Sequence, residues 1–321
     1  MCPGAARASV RMMSTEPLTT YRESRTTILA ALALLGAVSG CASALAPSQK
    51  VEAPAQRLSE SLPVVAASGT LSHRSIESQY PALASLLMQA SSQPSSELLA
   101  AVGEGYADLS VRDTALDYFS RSLAINRRHV PALDGSARVW RDSGQYGRAL
   151  TSSHQAVYFA PHSPAAWNTL GTIMQALSLY REAAQAYRRS VALDPSAVYA
   201  MNNLCYLTFL QGDNTAALAE CALAVSRNRA FLPATNNLAL VQAAEGMSTL
   251  AYETFVGANG AAVAHYNMGM VRLAQRRYSD AVAAFEAAYH AESTFDLARV
   301  RAREARRLGL RSEKQNVHPS R

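Results

Sequence analysis

Charge is scarce in this chain: 17% of its 321 residues are Asp, Glu, Lys or Arg, and of the 30 basic residues only Lys50 and Lys314 are lysine. Four Cys in such a length exclude a miniprotein held together by disulfides, and 16 Gly with 13 Pro exclude a collagen-like repeat. Long apolar runs are missing too. The one stretch that resembles a membrane-inserting segment, Ile28 to Val38, is eleven residues long, well short of the roughly 20 a spanning helix needs. A polytopic membrane protein is excluded, while 49% hydrophobic residues suffice for a sizeable core.

Sequence signatures of chemistry are also missing. There is no HExxH, no phosphate-binding Gly-rich loop ending in Lys-Ser/Thr, no GxSxG and no paired CxxC. The seven His are scattered, and His154, His162, His265 and His290 share no metal-ligand spacing. Neither a catalytic residue, a metal nor a cofactor is expected. The formal charge of +6 is confined to the ends: residues 1–40 carry four Arg and two Glu, and residues 299–321 carry seven Arg and one Lys against two Glu. Those segments give +2 and +6, so residues 41–298 sum to −2. A middle without a net basic field disfavours nucleic acid as a partner.

Residues 1–40 read as an export signal, with Arg22 and Arg25 as its positive region and Ile28 to Val38 as its apolar region. Val38-Ser39-Gly40-Cys41 follows directly and resembles the lipobox of bacterial lipoproteins. That resemblance implies a diacylglyceryl group on Cys41, which becomes the mature N-terminus. Ala42 in the next place implies passage to the outer membrane, so the expected location is the bacterial cell envelope, lipid-anchored at the periplasmic face of the outer membrane. Residues 41–74 are rich in Ala, Pro and Ser without a sustained period and read as a flexible linker. Residues 75–95 carry helix-spaced Leu83, Leu86 and Leu87 and read as a leading helix.

From Ser96 onward the sequence repeats itself every 34 residues. Trp167, Leu170, Gly171, Tyr180, Ala183, Tyr187 and Pro195 stand at places 4, 7, 8, 17, 20, 24 and 32 of one unit. One period earlier come Leu133, Ala137, Trp140, Tyr146, Ala149 and Pro161, and two periods earlier Leu99, Gly103, Tyr106, Ala115 and Phe119. Later units carry Met201, Leu204, Cys205, Ala217 and Cys221, then Leu238, Ala239, Ala251 and Phe255, then His265, Met268, Gly269, Tyr278, Ala281, Phe285 and Ala288. This pattern resembles the tetratricopeptide repeat. The resemblance implies an all-α, right-handed superhelical solenoid of helix pairs, in six units at 96–129, 130–163, 164–197, 198–231, 232–261 and 262–295. The fifth unit is about four residues short, with Gly257, Asn259 and Gly260 marking an abbreviated second helix.

Residues 294–308 read as a capping helix whose apolar side is Phe295, Ala298, Ala302 and Ala305, and residues 309–321 as a disordered basic tail. The arginines of that helix read either as a solvated face or as a contact for anionic lipid or an acidic partner. Cys205 and Cys221, at places 8 and 24 of one unit, face each other across its two helices. They are either two small buried thiols or a disulfide.

The resemblance also implies that the first helix of each unit lines a concave face. Asn168, Asn202 and Asn236 recur there at place 5, and Asn203, Asn237 and Asn267 at place 6. Amides both donate and accept, so such a row suits the backbone of an extended peptide, or else the amides bond between helices. Tyr206, Phe209, Tyr266 and Met270 fall beside them and read as an apolar anchor for the ligand. Arg138 and Arg141 stand together in the second unit alone, too few for a carboxylate clamp. The expected partner is therefore a peptide segment of an envelope protein, with the membrane contacted through the N-terminal lipid; the oligomeric state is left open. The layout of lipobox, linker and six units is similar to assembly lipoproteins of the tight-adherence pilus and to type IV pilus pilotins, which implies a scaffold in pilus or secretion-system assembly. The other reading is a cell-wall or outer-membrane maintenance adaptor that recruits an enzyme or holds a glycan or acyl substrate.

The anchoring step is directly testable. Growth with a clickable palmitate analogue should label the wild-type chain, and Cys41→Ala should abolish the label; an unlabelled wild type would remove the anchor.

Overall fold

Residues 79–317 are described in the computed structural model, and among them are thirteen helices and no strand. The leader, Cys41 and the linker lie outside these residues. In chain order the helices are α1 (Pro81–Ser92), α2 (Ser96–Asp108), α3 (Arg112–Ile125), α4 (Val130–Asp142), α5 (Tyr146–Phe159), α6 (Pro164–Ala176) and α7 (Tyr180–Leu193). There follow α8 (Val198–Leu210), α9 (Asn214–Arg227), α10 (Leu232–Ala244), α11 (Ser248–Ala274), α12 (Tyr278–Ala291) and α13 (Asp296–Val317). Starts are written locally. Proline occupies the first turn of α1, α4, α6 and α10, where its missing N–H costs nothing. Ser95, Ser163 and Asp213 cap α2, α6 and α9 by accepting a backbone N–H three residues on.

Within a helix pair, the close approach is made by a notch and a filler. Gly103, Gly171 and Gly269 stand so near the rings of Phe119, Tyr187 and Phe285 that an added Cβ would lie 2.7, 2.6 and 2.7 Å from a ring carbon. All three rings are buried. The same two places hold Ala239 with Phe255 in the fifth unit and Ala137 with Ser153 in the second, again buried. In the fourth unit they hold Cys205 and Cys221, which are joined as a disulfide with Cα atoms 5.2 Å apart. In this unit no ring fills the gap and a covalent bond ties the pair. Closing a loop of 16 residues this way stabilises the fold by about 3 kcal/mol in the chain-entropy picture.

Every pair turns at place 15 through a left-handed residue: Ser110, Gly144, Ser178, Gly212, Gly246 and Arg276, with φ between 59° and 85°. Connections between pairs take four residues, as at 126–129 or 160–163. The fifth-to-sixth junction is different. There α11 runs through with a single break at Gly260 (φ 80°, ψ 171°), a conformation that suits glycine, and this accounts for the missing residues.

The C-terminal helix covers the end of the stack. Ala298, Ala302 and Ala305 are buried against α12, with Tyr266 and Phe295 in the same cluster. It runs on to Val317, nine residues past the end read from sequence, so 309–317 is helical rather than disordered. Gly309 does not stop it because the small residue sits against Tyr278, and residues 310–317 are mostly fair helix formers with no proline.

Filling a notch should be costly. Gly171→Ala should lose about 2 kcal/mol by overpacking against Tyr187, whereas Gly147→Ala, with open space around it, should be neutral or slightly stabilising; urea midpoints compare them.

Candidate functional site

The first helices of successive units, α2, α4, α6, α8, α10 and the second arm of α11, form one layer of the stack and touch one another in sequence order. Their exposed side is the candidate site, and polar contacts between neighbouring units run along it. Near its start, Arg138 Nη2 lies 2.5 and 2.6 Å from the two carboxylate oxygens of Glu104, one unit away. Arg138 Nε donates to Asp134 at 3.2 Å. Arg141 donates to Thr172 of the next unit at 2.7 Å and pairs with Asp142. Both arginines are thus engaged within the chain.

The asparagines continue the line. Asn203 Nδ2 donates to Asn168 Oδ1 at 2.8 Å, and Asn237 Nδ2 donates to Asn202 Oδ1 at 2.8 Å. Each pair spans 35 residues, from place 5 of one unit to place 6 of the next. Asn236 instead accepts from Asn259 at 2.5 Å, the residue just before the Gly260 break. The amides therefore bond unit to unit first, which the sequence reading had given as the alternative to peptide binding. A bonded pair still leaves N–H donors on one amide and an acceptor on the other. Asn168, Asn203, Asn236 and Asn267 are partly exposed and can offer these, whereas Asn202 and Asn237 are 8% and 6% exposed and cannot.

Three of the residues read as a ligand anchor are core instead. Phe209 is buried with Cys205, Ala217 and Cys221, because the fifth unit packs over it. Tyr266 and Met270 are buried under α13, with Tyr266 set between Phe285 and Phe295 at ring-centroid distances of 5.5 and 5.1 Å. The helix that ends the stack occupies their side of it. Tyr206 remains partly exposed, and burial together with Tyr180 pushes its hydroxyl up to about 12, so it stays a neutral phenol. Tyr199 and Thr172, which were not singled out from sequence, join it on the same side. Their signal was available, since they stand at places 2 and 9 of their units.

One arrangement has the residue types of a catalytic set. Ser122 Oγ lies 3.1 Å from His129 Nδ1, and His129 Nε2 is 4.0 Å from Glu97. Ser122 is fully buried and donates its proton to the Ser96 carbonyl at 2.7 Å. Ser190 does the same to the Pro164 carbonyl two units on, also at 2.7 Å, so the hydroxyl is a helix-to-helix tie and not a nucleophile.

No protein-family model matches the sequence, and no curated protein matches it. Among solved structures, the chain is similar to the APC/C hetero-tetramer Cut9–Hcn1, with a TM-score of 0.59 at 18% identity over 73% of this chain and 48% of that one. It is also similar to a tetratricopeptide repeat protein from Parabacteroides merdae, with a TM-score of 0.53 at 17% identity over 72% of this chain and 96% of that one. The fold is a tetratricopeptide repeat solenoid. The chain spans about half the length of the Cut9–Hcn1 chain it matches, so the likeness to that larger solenoid is one of fold.

The Glu104–Arg138–Asp134 contact of this solenoid gives a prediction with a definite sign. Burial raises both carboxyls above their usual range, against the pull of Arg138. A carboxyl raised on folding contributes stability that is present below its unfolded value and lost as pH rises through its folded value. Arg138→Met removes the counter-pull, and should cost about 2 kcal/mol at pH 7, less than a fully buried pair because solvent screens part of it. The gap to wild type should close as pH falls towards 4, read from melting temperatures across that range.

Proposed function

We propose that this protein is a non-catalytic, lipid-anchored scaffold of the bacterial envelope whose concave face holds an extended peptide segment of a protein partner. The carrying observation is the row of linked amides. In the Asn168–Asn203 rung, one amide keeps its N–H groups and the other keeps its carbonyl, which is the complement of a peptide unit's own C=O and N–H. Tyr206 beside it supplies a neutral hydroxyl and a ring face. Recognition of backbone by amides is sequence-tolerant, and side-chain preference then falls to Tyr199, Tyr206 and Thr172.

The Cys205–Cys221 bond supports the envelope part of this reading, because structural disulfides persist in oxidising compartments such as the periplasm. The lipobox at Cys41 supports attachment to the membrane, and the layout of the whole chain favours pilus or secretion-system assembly as the setting. An acyl chain is the poorer occupant of the face, since Glu104, Arg138 and the amides interrupt any continuous apolar path along it.

Photocrosslinking in intact cells tests the site. A benzophenone amino acid at Tyr206 should give a protein adduct, whereas one at Tyr158, which is 78% exposed at the end of α5, should not. Removing both partners of a rung leaves no orphaned amide. Asn168→Ala with Asn203→Ala should therefore cut the Tyr206 adduct by about tenfold while the chain stays folded with only a small drop in melting temperature; an undiminished adduct, or adducts from Tyr158 alone, would overturn the reading.

A further inference from the structure

Helix α13 is longer than its role as an end cap requires. It has 22 residues, while α12, against which it packs, has 14. At 1.5 Å per residue the excess is about 12 Å of helix. Contact with the stack ends near Gly309 and Tyr278, and the turn that follows carries exposed Leu310 and Arg311.

The side of α13 that flanks its buried alanines is basic. Arg299, Arg303, Arg306 and Leu310 fall at i, i+4, i+7 and i+11, so they share one side of the helix, and Arg307 and Arg311 continue it. Arg299, Arg303 and Arg306 line a cleft of about 540 Å³ against Glu286, Tyr289 and His290 of α12. Within it the carboxylate of Glu286 is held by Arg306, and the Arg299 guanidinium lies 5.7 Å from the centre of the Tyr289 ring. Asp296 on the same side pairs with Arg299 at 3.5 Å, whereas Arg303, Arg307 and Arg311 are exposed and outnumber it. Among them stand two exposed apolar side chains, Leu310 at 61% and Val300 at 47%.

We propose that this side of α13 is a second membrane contact, lying on an anionic bilayer with lipid phosphates held by Arg303, Arg307 and Arg311 and with Leu310 and Val300 at the headgroup–acyl boundary. Guanidinium groups match phosphate oxygens in two-point geometry. The exposed apolar pair decides between occupants: an acidic protein or a free phosphate needs the arginines alone, whereas a bilayer surface rewards burial of Leu310 and Val300 beside them. This contact is independent of the concave face, and so of the peptide reading.

Vesicle flotation tests it, using full chain bearing Cys41→Ala so that no acyl group contributes. The protein should float with vesicles of phosphatidylcholine containing 30% phosphatidylglycerol, as the probe composition, and remain behind with pure phosphatidylcholine. Arg303→Glu with Arg307→Glu should reduce flotation at least about tenfold while the helical circular-dichroism signal and melting temperature stay at wild type. Leu310→Ser, which leaves the charge intact, should reduce it several-fold. Equal flotation with neutral vesicles, or no effect of the double arginine change, would overturn the proposal. An unchanged Leu310→Ser with full displacement by millimolar inorganic phosphate would overturn it in favour of a simple anion or acidic-protein site.

Discussion

The solenoid depends on how closely two helices of one unit can approach. A glycine at the eighth place lets a ring from the facing helix enter, and the ring in turn sets the separation. Phe119, Tyr187 and Phe285 do this in the first, third and sixth units, each at 1% exposure or less. The fourth unit ties its helices by a different route: two Cys side chains are too small to fill the notch by packing but are well placed to bond across it, with Cα atoms 5.2 Å apart. The second unit, with Ala137 and Ser153, has neither a ring nor a bond. It is also the unit held to its neighbours on both sides by charged contacts, Arg138 to Glu104 and Arg141 to Thr172. Where the packing within a pair is least, the ties between pairs are most polar.

Those ties change what the concave face is. In a solenoid each unit is stabilised by its neighbours, so inter-unit contacts are as necessary as the core. Arg138–Glu104, Arg141–Thr172, Asn168–Asn203 and Asn202–Asn237 lie on the side open to a partner, yet all four join one unit to the next. A ligand binding there meets polar groups already oriented by one another and loses less in ordering them. The face is a seam first, and in the proposed docking role the amides that are partly exposed, rather than all six, are the ones able to serve it.

Much of the fold could be read from the spacing. A period of 34 residues with small residues at places 8 and 20 and a bulky one at 24 specifies helix pairs almost without reference to the rest. The left-handed turn at place 15 was not singled out, because Ser110, Ser178 and Arg276 stand where glycine would have announced it. The site was less legible for a related reason. Place within a repeat says which side of a helix a residue occupies, but not what the next helix lays over it. Tyr266 and Met270 are at groove places of the last unit, and the last unit is where α13 closes the stack. Phe209 is a similar case, covered by the fifth unit. The pairing of amides was present in the sequence all along as a separation of 35, one period plus one residue.

The short fifth unit shows how one deletion alters chemistry at a distance from itself. A full-length unit would bring place 6 of the sixth unit, Asn267, opposite place 5 of the fifth, Asn236, and complete another rung. With the turn reduced to Gly260, the end of the first arm of α11 comes round to the inner face, and Asn259 takes the Asn236 carbonyl at 2.5 Å. Asn267 is displaced from the series: it is partly exposed and makes no side-chain hydrogen bond among the described residues. An amide with its donors and acceptor all uncommitted has lost its structural reason to be asparagine, since apolar packing would stabilise that place at least as well. The six amides therefore fall into two kinds: five bonded to another amide along the face, and Asn267, at the break in the repeat, with no such bond among the described residues.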